Sequence, residues 1–544
     1  MRTSWLLVPL TFALALTPAC GDGDDDGPVN SSGSGGTSGR AGSGTGGTGG
    51  TGGGASGAGG GAGAGGGASG AGGVAGVGGA AGAGGGAGTG GAAGAGGGAG
   101  AGGGAGTGGA AGAGGVMVPT GVAALDTLLG ELPALSGAER DARVNLFLRD
   151  VAYAGGWPLR DGNRFVFAYL APPDKATTPA VVGDFNAWDT AQAPMTRAVG
   201  GYNFFYAVLT IELPAADKRL YKFFLGGSDY VADPSARRFA FDEYGQHSLL
   251  AENPEKSRFE RWPDFRAEGT SLRPRPLYVY VPPGYAPDGG ALPVLYMHDG
   301  QNLFPGGGPF GSWDLHQVFD AQIAAGKVRP ALVVGVANTE DRFLEYTHVA
   351  DVVGGQTVGG GAAAYVDFVA DRVRPFVNEH YRTLTDAANT GVLGSSLGGL
   401  VSLFAADHRP EVFGFAGSMS GTFGWGSFAP NQPTPDNAPP LMALYTQKHN
   451  VKIYLDSGGN DGNDDADNDD CVDADADGVH DDNPNSNQMD NYCENLDMKA
   501  KLTSLGWAES VDLTYVFAKG AQHNEAAWKA RLPAALSGWF PGAP

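Results

Sequence analysis

Only three of the 544 residues are cysteine, too few for a disulfide-built scaffold. Lysine and arginine number 34 against 57 acidic residues, a formal net charge of −23. Phosphate backbones are bound by basic surfaces, and none is evident, which argues against a nucleic-acid partner. No apolar run is long enough to span a bilayer. From Asn30 to about Gly115 the chain also has almost nothing to bury: it is Gly, Ala, Ser and Thr, and it holds most of the 96 glycines. Such a segment cannot offset its ordering entropy and reads as a flexible tether. It has no Gly-X-Y period with proline, so collagen is excluded. What remains is about 425 residues, enough for two or three domains with a full core.

The N-terminus has the pattern of an export signal. Arg2 supplies the positive end, and Trp5–Leu16 is an apolar run too short to cross a membrane. It ends in Thr17-Pro18-Ala19-Cys20, which resembles the bacterial lipobox, with Thr17 where Leu is usual. The resemblance implies a leader over residues 1–20, lipidation of Cys20, and a membrane-tethered, exported protein. Residues 21–118 would be the linker that holds the folded part away from the membrane.

Residues 119–162 read as a helical preface. Ser136-Gly137-Ala138-Glu139 is a capping-box pattern, followed by apolar Val144, Phe147, Leu148 and Val151 at helical spacing. From residue 163 to 265 the period changes to two, with strands expected at Arg164–Leu170, Ala180–Gly183, Tyr202–Leu213 and Leu220–Leu225. This predicts a small β-sandwich. Val182-Gly183-Asp184-Phe185-Asn186-Ala187-Trp188-Asp189, Tyr221-Lys222-Phe223 and Asp233-Pro234 are similar to early-set, CBM48-like domains, which accompany glycan-active enzymes. That resemblance makes Trp188 and Tyr230 candidates to stack on a sugar, or else to pack against the neighbouring domain.

Residues 266–544 alternate strand and helix, as an α/β domain does. Gly394-Ser395-Ser396-Leu397-Gly398 is a G-x-S-x-G between the apolar strand Thr390–Leu393 and a helical pattern. That strand–turn–helix context makes it a nucleophile elbow with Ser396 at its apex. A serine hydroxyl needs a base and an orienting acid. His523 follows the last expected strand and is the candidate base. After Tyr454-Leu455 come Asp456 and Asp461, and the loop position of Asp461 makes it the candidate acid, with Asp456 second. Backbone N–H groups of Leu397 and, from the loop after an early strand, Gln301 are candidates for the oxyanion hole. Together these residues resemble the esterase family of enterochelin esterases, feruloyl esterases and S-formylglutathione hydrolases. The resemblance rests on His298-Asp299-Gly300-Gln301-Asn302-Leu303-Phe304, Asn338, Asp341-Arg342, Glu345-Tyr346, the elbow, Gly458-x-x-Asp461 and His523-Asn524-Glu525. It implies an α/β-hydrolase fold, a Ser396–Asp461–His523 triad, no cofactor for catalysis, and an acyl pocket bordered by Phe423 and Trp425.

An insert at residues 461–498 departs from that family. It contains no Lys or Arg, and fourteen acidic residues fall between Asp461 and Asp497. Asp473-Ala474-Asp475-Ala476-Asp477-Gly478, with Asp481 beyond, places alternate carboxylates around a bend, a spacing suited to Ca²⁺. The twelfth position is Pro484 rather than Glu, so it is not an EF-hand. It resembles thrombospondin type 3 repeats, which bind Ca²⁺ and are often disulfide-linked, and Cys471 and Cys493 flank the run. The expectation is a serine carboxylic ester hydrolase acting on glycan- or phenolic-linked esters outside the cytoplasm, with structural Ca²⁺. The rival readings are a siderophore esterase, an acyltransferase, and a surface glycan-binding lipoprotein with a relict hydrolase fold.

Overall fold

The computed structural model describes residues 120–542 apart from 174–176, 267, 309–310, 354, 427–438, 460–470 and 472–489. Cys20, Asp461 and the aspartates 473, 475, 477 and 481 lie outside the described residues.

The preface forms two helices, α1 (Ala123–Glu131) and α2 (Gly137–Ala154). The expected capping box is made: the Ser136 N–H donates to the Glu139 carboxylate at 2.8 Å. Leu128, Val144, Phe147 and Val151 pack with Trp157, Val166 and Phe204, so the helices cover one face of the sheet that follows.

That sheet takes β1 (Leu159–Asp161), β2 (Arg164–Leu170), β4 (Thr196–Arg197) and β5 (Phe204–Thr210), in the order β1-β2-β5-β4, with β3 (Ala180–Gly183) intervening in sequence. β3 pairs instead with β6 (Leu220–Phe224), to which β7 (Tyr230–Val231), β8 (Arg238–Asp242) and β9 (Gly245–Leu249) are added. Phe165, Phe167, Val181, Phe205, Tyr221 and Phe223 fill the space between the two layers. The two-residue period is thus realised as two packed sheets. Tyr230 is exposed, whereas Trp188 is half-buried, donates its indole N–H to Asp184 and lies edge-on to His247.

The second layer is continuous in hydrogen bonding with the strands that follow residue 265. β10 (Arg258–Phe265) pairs with β8 on one side and with β11 (Arg275–Val281) on the other, so the layer runs directly into the α/β sheet. β12 (Val294–Met297), β13 (Leu332–Val336), β16 (Thr390–Ser395), β17 (Phe415–Met419), β18 (Lys452–Ser457) and β19 (Leu513–Phe517) complete it, in the order β19-β18-β17-β16-β12-β13-β11-β10. β14 (Ala350–Val353) and β15 (Gln356–Gly359) form a separate hairpin. The six strands from β19 to β13 are parallel, and β11 is antiparallel.

Parallel strands must be covered on both faces. The first helix of this part is α3 (Leu315–Ala324), followed by α4 (Arg342–Tyr346), α5 (Ala362–Phe368), α6 (Arg374–His380), α7 (Leu397–His408), α8 (Leu441–Leu444), α9 (Tyr492–Ser504) and α10 (Glu525–Trp539). Residues of α5, α6, α7 and α9 share one apolar cluster, and residues of α3 and α10 share the other. Between α5 and α6 the helical path widens into a π turn at Val369–Val373. Pro375 lacks the N–H an α-helix would need there, and the wider turn accommodates it. The result is an α/β-hydrolase.

Trp262 on β10 locks the shared strand. Its indole N–H donates to the Tyr381 hydroxyl at 2.9 Å, its ring meets Phe376 edge-on at 4.7 Å, and Arg237 lies over it at 3.3 Å. Trp262→Ala should therefore cost about 3–5 kcal/mol of unfolding free energy, measured by equilibrium denaturation.

Candidate active site

Ser396 sits at the C-terminal end of β16 with φ 58° and ψ −127°, a conformation that L residues pay to adopt. Close packing of the turn maintains it. A Cβ on Gly394 would fall 2.6 Å from the carbonyl carbon of Gly398, and one on Gly399 would fall 2.4 Å from Ser418 Oγ. The Ser396 N–H is held by the Met419 carbonyl on the neighbouring strand. From Thr390 to Val401 every residue is buried except Ser396, which is partly open. Its Oγ lies 3.3 Å from Thr422 Oγ1.

His523 lies between β19 and α10, as its position after the last strand predicts. Its carboxylate partner differs from the expected one. Nδ1 of His523 is 2.9 Å from Asp490 Oδ1. Asp490 also accepts from the Gly458 N–H at the end of β18 and, at 2.9 Å, from Arg531 of α10. An ionised carboxylate only accepts, so Nδ1 carries the proton and Nε2 is left as the acceptor. The position assigned to Asp461 is thus filled by a residue at the far end of the insert. Asp456 is fully buried on β18, 3.1 Å from Arg531 Nε and 2.8 Å from the Tyr454 hydroxyl. It braces the far side of Arg531 and does not meet the histidine.

The acid is bound into its surroundings by its neighbours. Asn491 donates to the Ser420 carbonyl at 3.0 Å, Glu494 accepts the Gly424 N–H at 2.7 Å, and Asn495 donates to the Gly421 carbonyl at 2.9 Å. Cys471 and Cys493 are joined in a disulfide, which puts a covalent link three residues after Asp490. Trp528 meets the His523 ring edge-on at 4.9 Å and donates to Ser420 Oγ.

The early loop approaches from the other side. The His298 N–H bonds the Leu393 carbonyl, and a Cβ on Gly398 would lie 3.4 Å from His298 Cβ. Leu397 opens α7, where N–H groups have no intrahelical acceptor. Gln301 lies in a 3₁₀ turn at Gly300–Leu303, its side chain accepting from the Asn338 N–H. The loop is fixed by Asp299, which takes two bonds of 2.8 Å from Arg342 and one of 2.6 Å from Asn338. Burial alone would raise the Asp299 pKa, but these donors hold it below the ordinary carboxylate value. Asn302 reaches Glu525, beside His523, at 3.0 Å. Phe423 and Trp425 are not on an open wall: both are buried in the main core, and the Trp425 indole donates to the Val349 carbonyl. Among the described residues no group of acidic, histidine or cysteine side chains is arranged to hold a metal.

A strained serine at the end of a parallel strand, with a histidine–carboxylate pair beyond the last strand, defines the site of an α/β-hydrolase. Residues 270–538 match the family model described as "Esterase: Putative esterase", so this part of the chain is similar to that family. The chain is 28% identical over 148 residues to "Uncharacterized protein YbbA" of Bacillus subtilis, covering 27% of this chain and 56% of that protein. It is 27% identical over 162 residues to an endo-1,4-beta-xylanase/feruloyl esterase of Xylanibacter ruminicola, covering 28% of this chain and 20% of that protein. The chain thus spans little more than half the length of the first and a fifth of the second. Among solved structures, the enterobactin esterase FES from Shigella flexneri covers 71% of this chain and 96% of its own, at 17% identity and a TM-score of 0.35. A ferulic acid esterase covers 52% and 97%, at 14% identity and a TM-score of 0.36.

The buried acids set a pH dependence. Burial raises the Asp456 pKa from 3.8 to about 6, against the pull of Arg531. Between those values the folded state binds more protons than the unfolded one, so this group's contribution to stability falls as pH rises. Asp456→Asn lacks that loss. Its unfolding free energy relative to wild type should improve from about pH 4 to about pH 7, by roughly 3 kcal/mol at most, as read from urea denaturation at each pH.

Proposed function

We propose that the protein is a serine carboxylic ester hydrolase working through an acyl-enzyme, with Ser396 as nucleophile, His523 as base and Asp490 as the acid. The observation that carries this reading is the Nδ1–Asp490 contact, which leaves Nε2 of His523 free to accept the serine proton. In acylation, Ser396 Oγ bonds the ester carbonyl carbon as its proton passes to Nε2. The alcohol then leaves with that proton. In deacylation, water attacks the acyl carbon, gives a proton to Nε2, and the carbon–Oγ bond breaks to return serine and release the acid. The backbone N–H groups of Leu397 and Gln301 take the carbonyl oxygen as it becomes negative. Hydrogen bonds to the nucleophile in a free enzyme are often long and tighten only with substrate, so the resting Ser396–Thr422 contact is compatible with this course.

Glycan- or phenolic-linked esters are the proposed substrates, supported by the match to the xylanase/feruloyl esterase and by the CBM48-like pattern of residues 182–189. Siderophore ester cleavage, transfer to another acceptor, and glycan binding without turnover are the alternatives. An exported location is supported by the disulfide. The N-terminal pattern ending in Cys20 supports a lipid anchor. The Asp473-x-Asp475-x-Asp477-Gly478 spacing, with Asp481, supports Ca²⁺ binding by the insert. Chelation is then expected to lower the melting temperature, and a melting temperature and activity both unmoved by EDTA would remove calcium from this account.

The test of the triad is kinetic. On p-nitrophenyl, feruloyl and acetylxylan esters, Ser396→Ala should lose essentially all activity. Asp490→Asn should lose about 10⁴-fold in kcat, by analogy with the loss of a triad acid. Asp461→Asn should stay within a few-fold of wild type. The reverse ranking of the two aspartates would restore Asp461, and hydrolysis surviving in Ser396→Ala would end the mechanism.

A further inference from the structure

Thr422 belongs to no sequence motif, yet it is the side chain in contact with the Ser396 hydroxyl. In the segment Ser420–Gly426 every residue is buried except Thr422, just as Ser396 is the open residue of its own segment. The two meet there, with Oγ atoms 3.3 Å apart and the Thr422 N–H directed at the Ser396 carbonyl, also at 3.3 Å. Either hydroxyl could donate, and Asn491 favours donation by Thr422. Its amide nitrogen lies 3.0 Å from the Ser420 carbonyl oxygen and 3.2 Å from Thr422 Oγ1. A carbonyl oxygen only accepts, so the NH₂ group must face it, and the orientation of the amide is fixed. The remaining N–H of that group donates to Thr422 Oγ1. With one lone pair of Oγ1 taken by Asn491, the threonine hydroxyl has its single proton available for Ser396 Oγ.

We infer that Thr422, oriented by Asn491, is a further catalytic residue that donates a hydrogen bond to Ser396 Oγ while the serine's own proton passes to His523. The inference rests on the reading of Ser396 as nucleophile. During acylation Oγ gains negative charge as its proton leaves for Nε2 and the bond to the carbonyl carbon forms. During deacylation the carbon–Oγ bond breaks, its electron pair returns to Oγ, and His523 returns a proton. In both steps a donor on Oγ is held more strongly by the charged transition state than by the neutral hydroxyl, which is the condition for accelerating a step. The bond is long in the free enzyme, so it adds little to the ground state. Asn491 has φ 57°, a region asparagine tolerates better than most residues, and it directly follows Asp490. One dipeptide thereby orients both the base and this hydroxyl.

The test uses the full chain and p-nitrophenyl acetate. Thr422→Val keeps the shape and removes the hydroxyl; it should lower kcat and kcat/KM together by about tenfold with KM unchanged. Thr422→Ser should return both to within about threefold of wild type. Thr422→Ala serves if the valine variant fails to fold. A folded Val or Ala variant with kcat/KM within twofold of wild type overturns the inference, as does a loss that Thr422→Ser does not restore, since the methyl group would then be what matters. Ser396→Ala separates the two levels. Activity surviving in it removes the nucleophile and this inference together, whereas an inactive Ser396→Ala beside an unimpaired Thr422→Val removes only the role of Thr422.

Discussion

The carboxylate of Asp490 is the point on which the site depends. A buried charge is tolerable only when its oxygens are bonded and its charge is balanced. Here the partners come from three separate parts of the chain: the Gly458 N–H at the end of β18, Arg531 on α10, and His523 on the loop between them. Arg531 also donates to Ser420 Oγ at 2.7 Å and faces Asp456. One guanidinium thus serves two buried acids. The burden falls on Asp456, whose pKa burial pushes up to about 6, while Asp490 keeps three donors. The orientation of His523, the Ser420–Gly424 segment and the end of β18 are therefore properties of one network. Removing any member leaves a buried group without its partner.

The same economy applies on the opposite side of the serine. Arg342 and Asn338 bind Asp299, Tyr346 accepts the Asp299 N–H, and Asn302 reaches across to Glu525. The loop carrying Gln301 and the loop carrying His523 are thus joined directly, although they are far apart in sequence. Most of the residues that resemble the esterase family outside the triad belong to this framework. Their work is to hold two loops at a fixed distance from a strained serine, since misplacement of about 1 Å at such a site costs rate out of proportion to its size.

Much of this was legible in the sequence because it is local. β2 and β3 fall at the expected residues, since a two-residue period or a short buried run states its own boundaries. Ser396 was legible because the elbow needs a strand, a tight glycine turn and a helix in immediate succession. His523 was legible from its place after the last strand. Asp490 was not, because the rule that the acid follows β18 assumes a short loop. Here the insert separates the end of β18 from the carboxylate that returns to it, and Asp461 satisfied the rule by position alone. Two signals pointed to the return: a helix pattern beginning at Tyr492, and Cys493 available to pair with Cys471. The shared strand β10 was hidden for a different reason. Pairing with strands on both sides is a tertiary fact that the local sequence of β10 does not state. Phe423 and Trp425 were read as pocket residues because the family resemblance implied it, yet both point into the core, one and three residues from the open Thr422.

The placement of Asp490 also explains how an insert can be tolerated in the middle of a catalytic constellation. The described partners that fix the acid and the first turn of α9 lie outside residues 461–489: Gly458, Ser420, Gly421, Gly424, Arg531 and His523. The position of the carboxylate is thus set by the sheet, the 420–424 segment and α10, and the length of chain between β18 and Asp490 does not enter the geometry. The entropy of closing that length grows only logarithmically, so a long insert costs little more than a short one. The Cys471–Cys493 disulfide shortens the effective connection, because it ties the insert back three residues beyond the acid. An acid placed early in the loop, at residue 461, would have left the insert trailing from the catalytic residue. Placed at the end, where the chain has already rejoined the fold through α9, the acid is insulated from whatever the insert does.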